Sequence, residues 1–365
     1  MLELDEQERT CTCCNEVMVE IGREVSEQLE HAPARYFVIE TVRPKYACKR
    51  CHDGVLTAEP PAAPISKGLA GPGLLAHIVT SKYCDHLPLY RQEAIFARHG
   101  IELNRSTMSD WIGRCAQLLT PLYERMKAEV LAGRSLHVDE TPVRVQRAAQ
   151  KRRKRGRKSR HRTWDLERGY VWTYVGDAAH PFTLYDYTPS RGRAGPARFL
   201  AGFRGHIHAD DYAGYRDLFR TGERMHVACW AHVRRKFHDA RATDKARAEH
   251  AIAQIGRLYA IERRMHDAPA ERRLAARQEE AKPIVEQLQQ WLRDQGLRVL
   301  PKSPIGSAIK YALKLWPALV RYLEDPQLEI DNNAAERAIK PLAIGRKNWL
   351  FAGSDDGARH GAILF

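Results

Sequence analysis

The chain has 365 residues and a net charge of +14, from 59 Lys+Arg against 45 Asp+Glu. That length accommodates two or three domains with at least one real core and excludes a small stapled scaffold, while the positive balance favours nucleic acid over an acidic small molecule as partner. No stretch approaches the ~20 apolar residues of a membrane span, and Met1-Leu2-Glu3-Leu4-Asp5-Glu6 lacks the charged-then-apolar order of a signal peptide, so a cytoplasmic, nucleoid-associated protein with no membrane partner is expected.

Residues 1–58 form a polar, cysteine-bearing segment with a strand-like Tyr36-Phe37-Val38-Ile39 and a second short run before Cys48. In a reducing compartment the cysteines are thiols or metal ligands. Cys11-x-x-Cys14 and Cys48-x-x-Cys51 are two thiolate pairs on tight knuckles, able to close a tetrahedron around a structural Zn²⁺ with a small hairpin in the 33 residues between them. Cys13 is a bystander, and Asn15 stands where a knuckle wants glycine, which Asn replaces in a left-handed conformation. A closed four-sulfur site has no open position for catalysis, so the zinc organises a module that touches DNA or a partner.

Residues 59–66, with Pro60-Pro61-Ala62-Ala63-Pro64, read as a proline-rich linker, and 67–130 as a helical DNA-binding domain. Leu74-Leu75, Ile78-Val79 and Tyr83 recur at helical spacing, and Pro88-Leu89-Tyr90 opens a second helix that ends near His99-Gly100. Asn104-Arg105-Ser106-Thr107 offers N-cap residues to a third helix carrying Met108, Trp111, Ile112 and Cys115 and running past Pro121. Three helices with a short turn before the last suggest a helix-turn-helix arrangement, a pattern that many three-helix cores share.

From 131 to 365 the texture is that of a mixed α/β sheet. Strand candidates are Ser135–Val138, Tyr170–Val175, Pro181–Tyr187, His206–Ala209 and Met225–Cys229, with a short helix around Ala197 to Leu200. A long all-helical insertion at about 238–325 follows, with patterns such as Ile252-Ile255-Leu258-Tyr259 and Ile284-Leu288-Trp291-Leu292. Between the first two strands, Lys151, Arg152, Arg153, Lys154, Arg155, Arg157 and Lys158 belong to a run that cannot enter a core. It reads as a solvated loop that grips backbone phosphates without sequence choice.

Asp139, Asp210 and Glu336 follow one another in strand, strand, helix order. Singly, each reads as a cap, a turn residue or a surface ion pair, Glu336 with Lys340 for instance. Together they suit the chemistry that phosphodiester cleavage needs, because two Mg²⁺ or Mn²⁺ ions about 3.5–4 Å apart stabilise both the attacking and the leaving oxygen and are held by hard carboxylate oxygens. Alternation along a strand does not choose between Asp210 and Asp211.

His137-Val138-Asp139-Glu140-Thr141-Pro142, Asp210-Asp211-Tyr212-Ala213-Gly214-Tyr215, Cys229-Trp230-Ala231-His232-Val233-Arg234-Arg235-Lys236-Phe237, Asp331-Asn332-Asn333-Ala334-Ala335-Glu336-Arg337 and Gly345-Arg346-Lys347-Asn348-Trp349 together resemble the transposases of the insertion sequence 66 family, and the Cys11 to Cys51 segment resembles that family's zinc-binding domain. The resemblance runs through nearly the whole chain in order. It implies a ribonuclease-H-like catalytic fold with Asp139 on the first strand, Asp210 on the fourth and Glu336 on a helix after the insertion; the family's Asp-x-Tyr pattern selects Asp210 over Asp211. It further implies Asp-Asp-Glu chemistry: nicking at element ends, then attack of the freed 3′-hydroxyl on target DNA, with synapsis by a homo-oligomer and help from accessory proteins of the same element. Arg234, Arg235, Lys236, Arg346 and Lys347 are then expected phosphate contacts. Cys229-x-x-His232 resembles a signature of transposases with insertions between the second and third acids; by residue type alone it reads as a buried Cys and a hydrogen-bonded His.

Family members carry a helical segment before the zinc module and further helical residues after the glutamate helix. The chain is therefore expected to be truncated at both ends, with an intact trio but weakened activity. The rival readings are a decayed fragment that only binds DNA and a stand-alone metal-dependent nuclease.

Overall fold

A computed structural model describes residues 10–19, 21, 35–47, 55–66, 68–148, 164–220 and 222–365. The chain divides into two compact units, Met1–Ala62 and Ala63–Phe365.

In the first unit, β1 (Lys45–Ala47) pairs antiparallel with β2 (Val55–Thr57), and Thr10 bridges Val17 across a short cysteine-bearing turn. The predicted strand at Tyr36–Ile39 is irregular here, with Phe37, Val38 and Ile39 exposed. β-branched and aromatic content favours a strand only where a ladder and a packed face exist to receive it.

The second unit opens with three helices, α1 (Pro72–Tyr83), α2 (Leu89–Arg98) and α3 (Arg105–Ala132). Proline at N1 starts α1, and α3 continues through Pro121. Leu75, Ile78, Phe96, Met108, Trp111 and Ile112 are buried, and the buried Gln92 amide donates to Ile78 O and Leu87 O.

A five-stranded sheet follows: β3 (Ser135–Ala148), β4 (Trp164–Val175), β5 (Thr183–Thr188), then α4 (Ala194–Phe199), β6 (Gly205–Ala209) and β7 (Arg224–Ala228). Its order is β5-β4-β3-β6-β7, antiparallel among the first three and parallel from β3 to β6 to β7. The β3–β4 hairpin is longer than the sequence reading anticipated, with pairing from His137↔Val175 out to Ala148↔Trp164. Val143 and Val145 alternate with exposed or half-buried neighbours, the period of two that carries the strand beyond its predicted end.

Period two also sorts β3 onto two cores. Leu136 and Val138 join Trp172, Tyr174, Phe199, Phe203 and Ile207 on one face, while Val143 and Val145 join Val171, Tyr185 and Tyr187 on the other. The second face is covered by α11 (Asn333–Trp349) and α12 (Asp355–Leu364), which contribute Leu342, Ala358 and Ala362. Between β7 and α11 lies the helical insertion: α5 (Trp230–Ala240), α6 (Lys245–Arg264), α7 (Ala270–Ala276), α8 (Lys282–Gly296), α9 (Pro304–Lys314) and α10 (Trp316–Leu319), around a core that also takes in Val227 and Ala228 of β7. Among the described residues no helix is long and apolar enough to cross a membrane.

Candidate active site

Parallel pairing of β3 with β6 sets His137 against His208. Side chains two residues on keep the same facing, so Asp139 continues the row of His137 and Asp210, just past the end of β6, continues that of His208. Asp211 has the opposite phase, and its carboxylate pairs with Lys314 at the end of α9. Asp210 instead accepts the Tyr212 N–H at 3.0 Å, the local turn that closes the strand.

The helix bearing the third acid is fastened to the same row. Asn332, buried at the N-cap of α11, donates Nδ2–H to Val138 O at 2.9 Å and meets His137 Nδ1 through Oδ1 at 3.1 Å. Its own N–H donates to Cys229 Sγ at 3.3 Å, and Trp230 N donates to Ile330 O at 3.2 Å. The first turns of α5 and α11 are thereby joined. Glu336 lies in the first turn of α11, where the helix dipole favours an anion, with Oε1 at 3.2 Å from His232 Nε2 and 3.7 Å from Arg235. Cys229 is buried, which raises its thiol to about 11, so it acts as a neutral acceptor in this junction.

Burial raises the Asp139 carboxyl to about 7, and the charges of Glu140, Asp210 and Glu336 push in the same direction. Asp210 and Glu336 are thus each within electrostatic reach of Asp139. Beneath them His137 and His208 stack at 4.1 Å; burial lowers His137 to about 4 and His208 well below the usual imidazole range, so both are neutral. With neutral rings below and like charges beside it, Asp139 lacks a cationic partner among the described ion pairs. Among the described residues no group of three or more His, Cys, Asp or Glu side chains is placed so that it could hold a metal ion as it stands. Glu336 is turned toward His232 and Arg235.

A family model described as Transposase IS66 family matches residues 67–360, which contain all three acids, and one described as the zinc-finger binding domain of transposase IS66 matches residues 8–52. The chain belongs to the IS66 transposase family. Three uncharacterized proteins of Sinorhizobium fredii are similar to it. y4hP is 34% identical over 379 residues, covering 97% of the chain; y4jD is 36% identical over 374 and y4qI 37% over 377, each covering 99%. The chain spans 66%, 71% and 67% of their respective lengths, about two thirds.

The zinc-finger segment is described on one side only. Cys11 and Cys14 flank a turn in which Asn15 adopts φ 64° and donates its N–H to Cys11 O at 2.9 Å, the left-handed conformation expected of it. Backbone N–H groups of Cys14 and Cys13 favour the Cys11 thiolate and lower its pKa, the donor arrangement that a metal-bound sulfur uses. Cys48 and Cys51 lie outside the described residues, as does the whole run containing Lys151, Arg152, Arg153, Lys154, Arg155, Arg157 and Lys158.

Of the other basic candidates, Arg234, Arg235 and Lys236 are exposed on α5 and Lys347 is exposed on α11. Arg346 instead donates from its guanidinium to Thr141 Oγ1 at 2.5 Å and Pro142 O at 2.7 Å, anchoring α11 to β3. Sequence reasoning assigned no role to Asn332 or Glu140. Asn at a helix N-cap, four residues before an acid, was the available signal for the first. Glu140 sat unmarked beside Asp139, although a carboxylate so placed needs a partner once the strand is buried.

Proposed function

We propose that the chain is the catalytic portion of a DNA transposase of the Asp-Asp-Glu type on a ribonuclease-H-like fold, cutting element ends and joining the freed 3′-hydroxyl to target DNA. The observation that supports this reading is that Asp139 continues a β3 row beside that of Asp210 at the end of the parallel β6, with burial first, and the charges of Glu140, Asp210 and Glu336 after it, raising the Asp139 carboxyl. The mixed five-stranded order, with an antiparallel hairpin beside two parallel strands and a helix across the acids, supports the fold assignment.

Hard carboxylate oxygens repelling one another suit Mg²⁺ or Mn²⁺, and Asp139, Asp210 and Glu336 would hold such ions. When bound, divalent cations supply charge neutralisation at both the attacking and the departing oxygen of a phosphodiester. The protein's own contribution is placement: Asn332 locks the glutamate helix to the first strand, and the Asp210 turn ends the second at the same level. Arg234, Arg235, Lys236 and Lys347 have the charge and exposure that phosphate contacts need, and the basic run at 151–158 has the charge. Cys11, Cys14, Cys48 and Cys51 would hold the structural zinc of the N-terminal module. Assembly of more than one protomer on DNA and assistance by accessory proteins belong to the same proposal.

The test is nicking and joining of labelled element-end DNA with Mg²⁺ or Mn²⁺ by the chain carrying the segments found in its longer relatives. Asp139→Asn, Asp210→Asn and Glu336→Gln should each lower cleavage by ~10³-fold or more, as removal of a metal-site carboxylate does, with DNA binding kept. Cleavage at the wild-type rate in any of the three would refute the assignment. Cleavage without joining would make the protein a nuclease.

A further inference from the structure

We propose that Glu140, Arg191, Tyr212 and Tyr215 form a latch that sets the separation of Asp139 and Asp210, making them positioning residues of the site proposed above. Glu140 follows Asp139 on β3 and faces the opposite side of the sheet, where its side chain is only 4% exposed. Both of its oxygens are engaged: Oε1 accepts from Arg191 Nε at 2.7 Å and from a second guanidinium nitrogen, and Oε2 accepts the Tyr215 hydroxyl at 2.9 Å. Tyr215 is buried in the 3₁₀ turn Ala213–Phe219, which begins three residues after Asp210.

Arg191 comes from the loop after β5 and lies over the Tyr212 ring at 4.0 Å, while the Tyr212 hydroxyl donates to Arg191 O. The Tyr212 and Tyr215 rings meet edge to face at 5.4 Å, and both pack on the buried Trp172. The immediate neighbour of the first acid is thus bonded to the turn that follows the second. Asp210 needs such a restraint because it lies beyond β6, where the ladder no longer fixes the backbone. A carboxylate–guanidinium pair whose cation is exposed adds little net stability, whereas it does fix geometry.

The latch rests on the Asp-Asp-Glu reading, and Mn²⁺ binding alone, followed by electron paramagnetic resonance of the free ion, separates the two. Wild type should bind Mn²⁺ in a manner lost in Asp139→Asn; without that, the metal-site reading fails and the latch with it. Given wild-type binding, Tyr215→Phe removes one hydroxyl and should raise the Mn²⁺ half-saturation by about 10–100-fold, the size of one lost hydrogen bond to a charged group. Arg191→Ala, at the exposed end of the latch, should move it in the same direction, and Tyr215→Phe should add no further shift in the Arg191→Ala background. Wild-type half-saturation in Tyr215→Phe, or in Arg191→Ala should the first variant be unfolded by circular dichroism, overturns the latch while leaving the metal site standing.

Discussion

Two buried charge centres in this molecule are built on opposite plans. In the helical insertion, Arg277 is 1% exposed, and its guanidinium donates to Glu262 twice and to the carbonyls of Tyr322, Asp325 and Leu328, with the Tyr322 ring 5.1 Å away. Every donor has an acceptor and the charge has its counter-charge. At the sheet, Asp139 is mostly buried with acids for neighbours and a single backbone N–H, that of Glu140 at 2.8 Å, on its carboxylate. The first centre is closed and holds helices together. The second is open among the described residues, and the site proposed above would be completed by a divalent cation. Burial of charge therefore does not mark function by itself; burial without local compensation does.

The largest structural effect is expected where the compensation is complete. Arg277→Ala leaves Glu262 without its cation and three carbonyls without a donor, so unfolding free energy should fall by about 3–5 kcal/mol. Chemical denaturation measures it. A loss under ~1 kcal/mol would erase the contrast between the two centres.

A smaller effect of opposite sign is expected at Asp139. Its carboxyl titrates at about 7 in the folded protein against 3.8 for an ordinary Asp, so between those values the folded state holds a proton that the unfolded chain has released. Stability from this group is full below the lower value and is lost as pH rises through about 7. The metal-free Asp139→Asn protein should accordingly be more stable than wild type at pH 8 by ~2 kcal/mol, with the gap closing toward pH 4. Divalent metal should remove the advantage by stabilising wild type alone. Thermal unfolding at several pH values, with and without Mn²⁺, reads both effects, and an asparagine variant less stable at pH 8 would show that the acid is locally compensated after all.

The two centres also differed in how far the sequence revealed them. The acids lie in short motifs with strand-like or helical flanks, so their order along the chain was readable and the helix and strand succession around them emerged with modest errors at the ends. Arg277 belongs to a helical stretch rich in charge and resembles any solvated arginine, because its five contacts come from residues up to 51 positions away. Glu140 escaped notice for the same reason: Arg191 and Tyr215 lie 51 and 75 residues away. Local pattern reports facing and capping, whereas compensation of a charge is a tertiary property. The Tyr36–Ile39 segment failed in the complementary way, since its composition suits a strand but pairing is not encoded in composition.

The finest discrimination concerns neighbours that sequence alternation alone could not separate. Asp210 continues the row toward Asp139, whereas Asp211 has the other phase and pairs with Lys314 on the insertion, both groups being partly solvated. A solvated ion pair contributes only about 0–1 kcal/mol, so Asp211→Asn should lower stability by less than ~1 kcal/mol and leave Asp139-dependent Mn²⁺ binding within about twofold of wild type. Asp210→Asn should abolish much of that binding while gaining stability in the metal-free state, because it removes one of the charges that repel Asp139. The two variants differ from wild type by the same replacement of an oxygen with an amide nitrogen, one residue apart. If Asp211→Asn proved the more damaging to metal binding, the row read from the β3–β6 register would be wrong by one residue, and with it the distinction between a locally compensated acid and one that waits for a cation.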